Sequence, residues 1–293
     1  VSASSQRYKV VHETRYDYST TVANGHHFAH LTPRATAHQQ VDHHQLEFEP
    51  EPTEVSQMLD YFGNHSLRFL INRQHELMQV CATSEVLVHD RTLEPALAEL
   101  HWECALSASV YVVEPVEVTE MRLPSPHVEC LAQTRRYASE FFKPGRPWLA
   151  AMLDLTTHIR SDFIYDPKAT TVSTPVAEVF EKKRGVCQDF AHLMLSCLRS
   201  LNLPARYVSG YILNEPPPGV AKLLGADASH AWVESWLPGA GWIGFDPTNG
   251  KIADKEFITV AWGRDFMDVT PLRGVVLGGG DHELAVKVSV TRI

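Results

Sequence analysis

Arg184-Gly185-Val186-Cys187-Gln188-Asp189-Phe190-Ala191-His192 opens a helix with a cysteine in its first turn. From Cys187 onward, Phe190/Ala191, Met194, Cys197/Leu198 and Leu201 recur at helical spacing and form one apolar stripe. Cys187 lies on that stripe, so its sulfur is aimed inward, at whatever the helix packs on. The unpaired N–H groups and the dipole of a helix N-terminus favour the thiolate, the nucleophilic form of the side chain. For a lone cysteine on an apolar stripe the usual reading is a buried core residue. Cys197, mid-helix on the same stripe, is assigned to the core.

Upstream, Pro147 opens another helix, with Trp148, Met152, Leu155 and Ile159 at spacings of four, three and four. Thr174-Pro175 reads as the cap and first-turn proline of a short helix that ends before Gly185. Downstream come strands at Ala205–Leu213, His230–Trp236 and Trp242–Asp246, and the chain closes on Leu284, Val286, Val288 and Val290 in alternation. Helices followed by an antiparallel sheet make this half α+β.

The first ~115 residues read differently. Tyr8, Val10, His12, Thr14, Tyr16 and Tyr18 alternate with more polar neighbours, the period of a half-buried strand. Leu46–Phe48, Phe69–Ile71, Val80–Val88 and Val110–Val113 repeat the theme, with turn signals at Asn24-Gly25 and Gly63-Asn64. Short strands with turn punctuation suggest a sandwich. The pattern changes near Pro124-Ser125-Pro126, which divides the chain into a β-rich domain over 1–120 and an α+β domain with C-terminal strands over 121–293. The first domain supplies no nucleophile paired with a base.

The second domain supplies both. Leu237-Pro238-Gly239-Ala240-Gly241 joins the last two core strands as a hairpin loop. If Trp236 pairs with Trp242, the residue numbers across the hairpin sum to 478, Asp246 faces Trp232, and His230 is its diagonal neighbour on the same face. A carboxylate beside a histidine fixes the imidazole tautomer and stabilises the imidazolium, and that imidazole can take the proton of a helix-terminal cysteine. Cys187, His230 and Asp246 are therefore read as nucleophile, base and orienter. Asp189 follows Cys187 too closely to orient His230, and it and Asp227 are read as a first-turn acid and a loop residue.

Composition excludes several other classes. The 293 residues are 44% hydrophobic and 21% charged, with 26 Lys and Arg against 35 Asp and Glu, a formal charge of -9. An acidic chain without a basic cluster is a poor partner for nucleic acid or an anionic membrane. No apolar run approaches 18 residues, and Val1 to Lys9 lacks the apolar core of a secretory signal. Cysteines 81, 104, 130, 187 and 197 form no CxxC pair, so free thiols in a reducing, cytoplasmic setting are expected. His26, His27 and His30 invite a metal reading, but no Cys or acidic partner completes a ligand set nearby, and no metal or other cofactor is expected.

The segment from Arg184 to His192 resembles the nucleophile segment of bacterial transglutaminase-like cysteine proteases. Pro204-Ala205-Arg206-Tyr207-Val208-Ser209-Gly210-Tyr211 is similar to the next strand of that family. Ser229-His230-Ala231-Trp232-Val233-Glu234, Gly241-Trp242 and Asp246-Pro247-Thr248 resemble its His and Asp blocks. The N-terminal half resembles the domain that often precedes this core, through Tyr8 to Tyr18, Leu31-Thr32-Pro33-Arg34 and Asp60-Tyr61-Phe62-Gly63-Asn64, and Gly263-Arg264-Asp265 through Pro271 fits too. The resemblance covers nearly the whole chain.

It implies a fold of class α+β: an N-terminal β-sandwich-like domain, then a papain/transglutaminase-like core with helices packed on an antiparallel sheet. It also implies acyl transfer on amide, peptide or isopeptide bonds through a thioester on Cys187. Hydrolysis is the expected outcome; transamidation of protein glutamine, or a catalytically silent scaffold, are the alternatives. The oxyanion would be held by the backbone N–H of Cys187 and by an upstream side chain, for which Tyr165 is the candidate, its other reading being a core-edge tyrosine. Gln188 either lines the site or is a polar residue of the helix start, and Trp232 is either core or a substrate contact. Asn214 to Ala226, rich in Pro and Gly, is either a mobile rim of the site or a solvent loop. The calcium loop of animal transglutaminases, Asp-x-Asp-x-Asp-Gly, does not occur. The expected partner is a peptide or protein amide substrate; the oligomeric state is left open.

Overall fold

The computed structural model describes residues 4–91, 93–106, 115–213 and 229–293. The strand expected at Val110–Val113 and the rim expected over Asn214 to Ala226 lie outside the described residues.

In chain order the first elements are β1 (Ser5–Ala29), β2 (Gln39–Glu49), β3 (Glu54–Leu59), β4 (His65–Ile71) and β5 (His75–His89). Then come α1 (Pro95–Ala98), α2 (Val116–Glu120), α3 (Ala132–Ser139), α4 (Trp148–Asp162), β6 (Ile164–Tyr165), α5 (Val176–Lys182), β7 (Arg184–Gly185) and α6 (Cys187–Ser200). The chain finishes with β8 (Ala205–Ile212), β9 (Ser229–Leu237), β10 (Gly241–Asp246), β11 (Lys251–Ile252), β12 (Phe257–Gly263), β13 (Leu272–Gly278) and β14 (His282–Arg292).

The N-terminal strands form one antiparallel sheet in the order β2-β5-β1-β4-β3. The enclosure expected of a sandwich is achieved by curling that single sheet. The first part of β1 pairs with β5, the last part with β4, and the register shifts between them. Ala29 and Phe69 from one end thereby share an apolar cluster with Met78, Val80 and Ala82 from the other.

Two expectations are corrected here. Asn24-Gly25 is no hairpin turn: β1 runs through it, and a register irregularity between Val22 and Asn24 absorbs the bend. Gly25 is needed because a Cβ there would stand 2.5 Å from His27 Nε2. The C-terminal strands, grouped above with the catalytic core, pair instead with β1, from Tyr8 opposite Arg292 through Ala29 opposite Leu272. Alternation identifies a strand but not its partner, and the 25 residues of β1 give room for both.

The second sheet is antiparallel in the order β11-β10-β9-β8-β12, with α4 and α6 packed on it and α3 and α5 packed on α6. All four apolar residues that define α4, Trp148, Met152, Leu155 and Ile159, are fully buried. Burying each such side chain contributes about 1.5–3 kcal/mol. The core they form continues through Phe190, Leu198 and Phe245 into Tyr8, Val10, Val288 and Val290 of the first sheet.

The outer side of β12 would be an open sheet edge. Two side chains from the first sheet close it. Gln39 donates to Thr259 O at 2.7 Å and accepts from Thr259 N at 2.8 Å; Asn64 donates to Trp262 O at 2.8 Å and accepts from Trp262 N at 2.9 Å. A primary amide carries one donor and one acceptor side, so each imitates one residue of a neighbouring strand. The two sheets are thus fixed to one another by the pairing chemistry of the backbone.

Candidate active site

Helix α6 begins at Cys187 because Asp189, three residues past the cap, accepts the Val186 N–H at 2.8 Å. The same carboxylate oxygen accepts from Thr170 Oγ1 at 2.6 Å. Gly185 leaves room for it: a Cβ there would lie 2.7 Å from Asp189 Oδ2. Burial pushes the Asp189 carboxyl up, and its two hydrogen bonds only partly oppose this. The first-turn acid expected from sequence is therefore a buried capping group that ties α6 to the loop after β6.

The helix itself is more deeply set than one stripe predicts. Every residue from Asp189 to Arg199 is buried. Its polar positions are met internally: His192 Nε2 accepts from Phe266 N at 3.2 Å, Ser196 donates to Glu129 O, and Arg199 donates to the carbonyls of Met121, Ala205 and Arg264. Cys197 is wholly buried, and burial pushes its thiol far up, as expected of a core cysteine. Cys187, at the exposed end, is half-buried.

The β9–β10 hairpin has the expected register, Trp242 opposite Trp236 and Phe245 opposite Val233. His230 and Asp246 meet as that register requires, with Nε2 to Oδ2 at 2.8 Å. His230 is 8% exposed and Asp246 0%. With Nε2 committed to the carboxylate, Nδ1 is the ring nitrogen left to serve Cys187. Burial alone would depress His230, but the hydrogen bonds to Asp246 and Cys187 and their negative charges raise it to about 10. Asp246 is pushed up by burial, yet His230, Asn249 and the Thr248 N–H hold it below the ordinary carboxylate range. Together the groups favour a charged imidazolium between Asp246 and Cys187.

The remaining expected residues fall in three places. Tyr165 pairs with Gly185 across the two-residue parallel ladder of β6 and β7, two residues before Cys187, and is 51% exposed. Burial, and then the negative charge of Cys187, raises its phenol, which keeps the hydroxyl a donor. The Gln188 amide donates to Val172 O at 3.0 Å and pins the loop before α5. Trp232 is 1% exposed and lies under the imidazole, ring centroids 6.2 Å apart and planes 24° apart. It is floor, not surface. Trp242 serves structure too, with the Arg206 guanidinium held between it and Trp262 at 4.4 and 3.7 Å.

Sequence reading missed Asn249 and Thr170. Asn249 Nδ2 donates to Asp246 Oδ2 at 2.6 Å, and Thr248 N donates to Oδ1 at 2.8 Å. An Asp-Pro-Thr-Asn run carries an available signal, since Asp side chains accept backbone N–H groups two residues on. His26 and His27 point to opposite faces of β1, and His30 is engaged with Asp60 at 3.1 Å. Among the described residues no three His, Cys, Asp or Glu side chains are grouped to hold a metal ion.

Comparison with known proteins shows the family of the chain. The profile of the Transglutaminase-like superfamily matches residues 135–247, and that of the Bacterial transglutaminase-like N-terminal region matches residues 8–87. An uncharacterized protein of Mycobacterium tuberculosis is 38% identical over 98% of this chain and 93% of its own length. One from Mycobacterium leprae is 33% identical over 98% and 99%. The crystal structure of a candidate cysteine protease from Cytophaga hutchinsonii superposes with a TM-score of 0.79 at 19% identity, covering 100% of this chain and 92% of that one. The chain belongs to the transglutaminase-like superfamily, with the N-terminal region typical of its bacterial members.

Proposed function

We propose that the protein is a cysteine-nucleophile hydrolase of amide, peptide or isopeptide bonds. The observation that carries this reading is the 2.8 Å bond from His230 to Asp246, with Cys187 at the start of α6 close enough to help raise the His230 pKa. The Cys187 thiolate attacks the carbonyl carbon. The oxyanion forms beside the Cys187 N–H and the Tyr165 hydroxyl. The His230 imidazolium then gives its proton to the leaving amine as the C–N bond breaks, leaving a thioester. Water, deprotonated by the now neutral His230, attacks the thioester and releases the acid and the free thiol. Asp246 keeps its charge throughout and holds the imidazole. A cytoplasmic setting goes with this reading, because all five cysteines are free.

A second reading is transamidation. Over 125 residues, 42% of this chain and 18% of the other, the sequence is 36% identical to a protein-glutamine gamma-glutamyltransferase of Pseudomonas aeruginosa. Both reactions share the thioester, so the triad does not choose between them. Mass spectrometry of a glutamine-containing peptide incubated with enzyme and excess primary amine does. Chain cleavage, or the one-dalton gain of deamidation, supports hydrolysis; predominant amine incorporation supports transamidation. Either product surviving Cys187→Ala overturns the triad.

A further inference from the structure

A concavity lies on the first sheet, lined by residues of β1, β3, β4 and β13 and not by Cys187. It is a trough of about 580 Å³ on the outer side of β3, β4, β1 and β13. Strand register arranges its floor. Phe28 of β1 stands opposite Arg68 of β4 on one side and Arg273 of β13 on the other. The flanking residues of β1, His27 and Ala29, are buried on the inner face, so this row faces outward. In the next row the exposed His26 stands between Leu70 and Val275, and Val275 is 77% exposed.

Two cations thus flank an aromatic ring. Arg273 sits with its guanidinium carbon 5.0 Å from the Phe28 centroid and spends one N–H on Met267 O at 3.3 Å. Arg68 is exposed and, among the described residues, has no hydrogen-bond or ion-pair partner. Glu54 stands on the rim, opposite Leu70, and forms no ion pair with either arginine among the described residues. A chain with a net charge of -9 has placed two guanidiniums in this hollow.

Neighbouring strands are about 4.8 Å apart, which puts Arg68 and Arg273, two strands apart, roughly 10 Å from one another. A peptide in the extended polyproline II form advances about 3.1 Å per residue with three residues per turn, so carboxylates three positions apart share one face and span ~9 Å. The peptide backbone between them would cross over Phe28. Guanidinium forks bind carboxylates in two parallel hydrogen bonds, which is why this arrangement suits Glu or Asp. We propose that the trough is an exosite for an extended acidic peptide of the form acid-x-x-acid, lying across β4, β1 and β13.

Its position suggests what the exosite serves. Phe28 meets His30 edge to face at 4.9 Å, and His30 lines a narrow crevice with Gly210 and Ser229. Gly210 pairs with His230. A polypeptide held in the trough is therefore held close to the catalytic strand; that it is the substrate rests on the reading of Cys187 above, whereas its binding does not.

The test is fluorescence anisotropy with full-length Cys187→Ala protein and a labelled peptide containing Glu-Leu-Ser-Glu, beside its Gln-Leu-Ser-Gln analogue. The Glu peptide is expected to bind at least roughly tenfold tighter than the analogue, as charge-assisted pairs require, and to weaken as salt is raised. The double variant Arg68→Gln/Arg273→Gln, both exposed positions, should bind both peptides alike, with Arg68→Lys/Arg273→Lys recovering part of the difference. In the protein with Cys187 intact, the same double Gln variant should turn over a short neutral substrate at the normal rate. Equal binding of the two peptides, or undiminished binding by the double Gln variant, overturns the exosite and leaves the triad untouched.

Discussion

Asn249 Nδ2 and His230 Nε2 converge on a single oxygen of Asp246, at 2.6 and 2.8 Å. The other oxygen receives the backbone N–H groups of Thr248 at 2.8 Å and Asn249 at 3.3 Å. The carboxylate is saturated and buried, so it has one orientation, and the imidazole inherits it.

Asn249→Ala removes the side chain that holds Asp246 without touching the triad. The carboxylate loses one of its two Oδ2 donors and its orientation loosens. We expect kcat to fall by roughly tenfold, about 1.4 kcal/mol in the barrier, with KM unchanged. Steady-state kinetics separates the two; a raised KM at normal kcat would place Asn249 in substrate binding instead.

The pH profile reports the pair directly. The productive form needs His230 protonated, and His230 is raised to about 10. The alkaline limb of kcat/KM should therefore fall near pH 10. Asp246→Asn removes the foremost of the interactions that raise His230 and leaves its burial in place, so the limb should move to lower pH by roughly 1–3 units. The rate should drop as well, by about 10⁴-fold on the precedent of the serine-protease triad. A limb that stays in place would mean another group holds the imidazole.

Much of this site is legible in the sequence, and the illegible parts have physical causes. Period-two alternation and a short loop fix the β9–β10 register, hence the meeting of His230 and Asp246. Helix α6 is less transparent. His192, Ser196 and Arg199 fall at i, i+4 and i+7, the spacing of a solvent-facing stripe, yet all three are buried because carbonyls and an N–H from distant segments meet them. Those partners lie up to 78 residues away along the chain, between Arg199 and Met121, beyond the reach of any local pattern. The placement of β14 fails for a similar reason. Leu284 to Val290 states a strand, and only the length of β1 decides where it pairs.

Stability should carry the signature of the same histidine. Its folded value of about 10 lies above the ordinary 6.5, so what it contributes to folding is complete below pH 6.5 and is lost as the pH rises toward 10. His230→Gln lacks that contribution at every pH. Urea denaturation of both proteins should therefore show a difference that is greatest at or below pH 6.5 and shrinks steadily toward pH 10. A difference that is flat or grows over that window would contradict the ion pair.

Thr170 tests the anchoring of the nucleophile. Thr170→Val leaves buried Asp189 with only the Val186 N–H. Depriving a buried carboxylate of a donor costs about 1–3 kcal/mol. The loosened first turn should also slow alkylation of Cys187 by iodoacetamide, while Thr170→Ser restores both readouts. If stability falls but alkylation is unchanged, Asp189 caps the helix without governing the sulfur.

Tyr165→Phe isolates the second oxyanion donor. The phenyl ring is retained and the residue is half exposed, so folding should be unaffected. Its hydroxyl stays protonated, because burial and the Cys187 charge both raise it. A donor aimed at charge that develops only in the transition state lowers kcat when removed, by about 10²–10³-fold for one oxyanion-hole group, and hardly moves KM. The thiolate attacks before the leaving group departs, so acylation should suffer with esters as well as amides. Stopped-flow acylation by an activated ester, compared in Tyr165→Phe and the native chain, gives the answer. A normal acylation rate would return Tyr165 to the edge of the core and leave the Cys187 N–H to find its partner elsewhere.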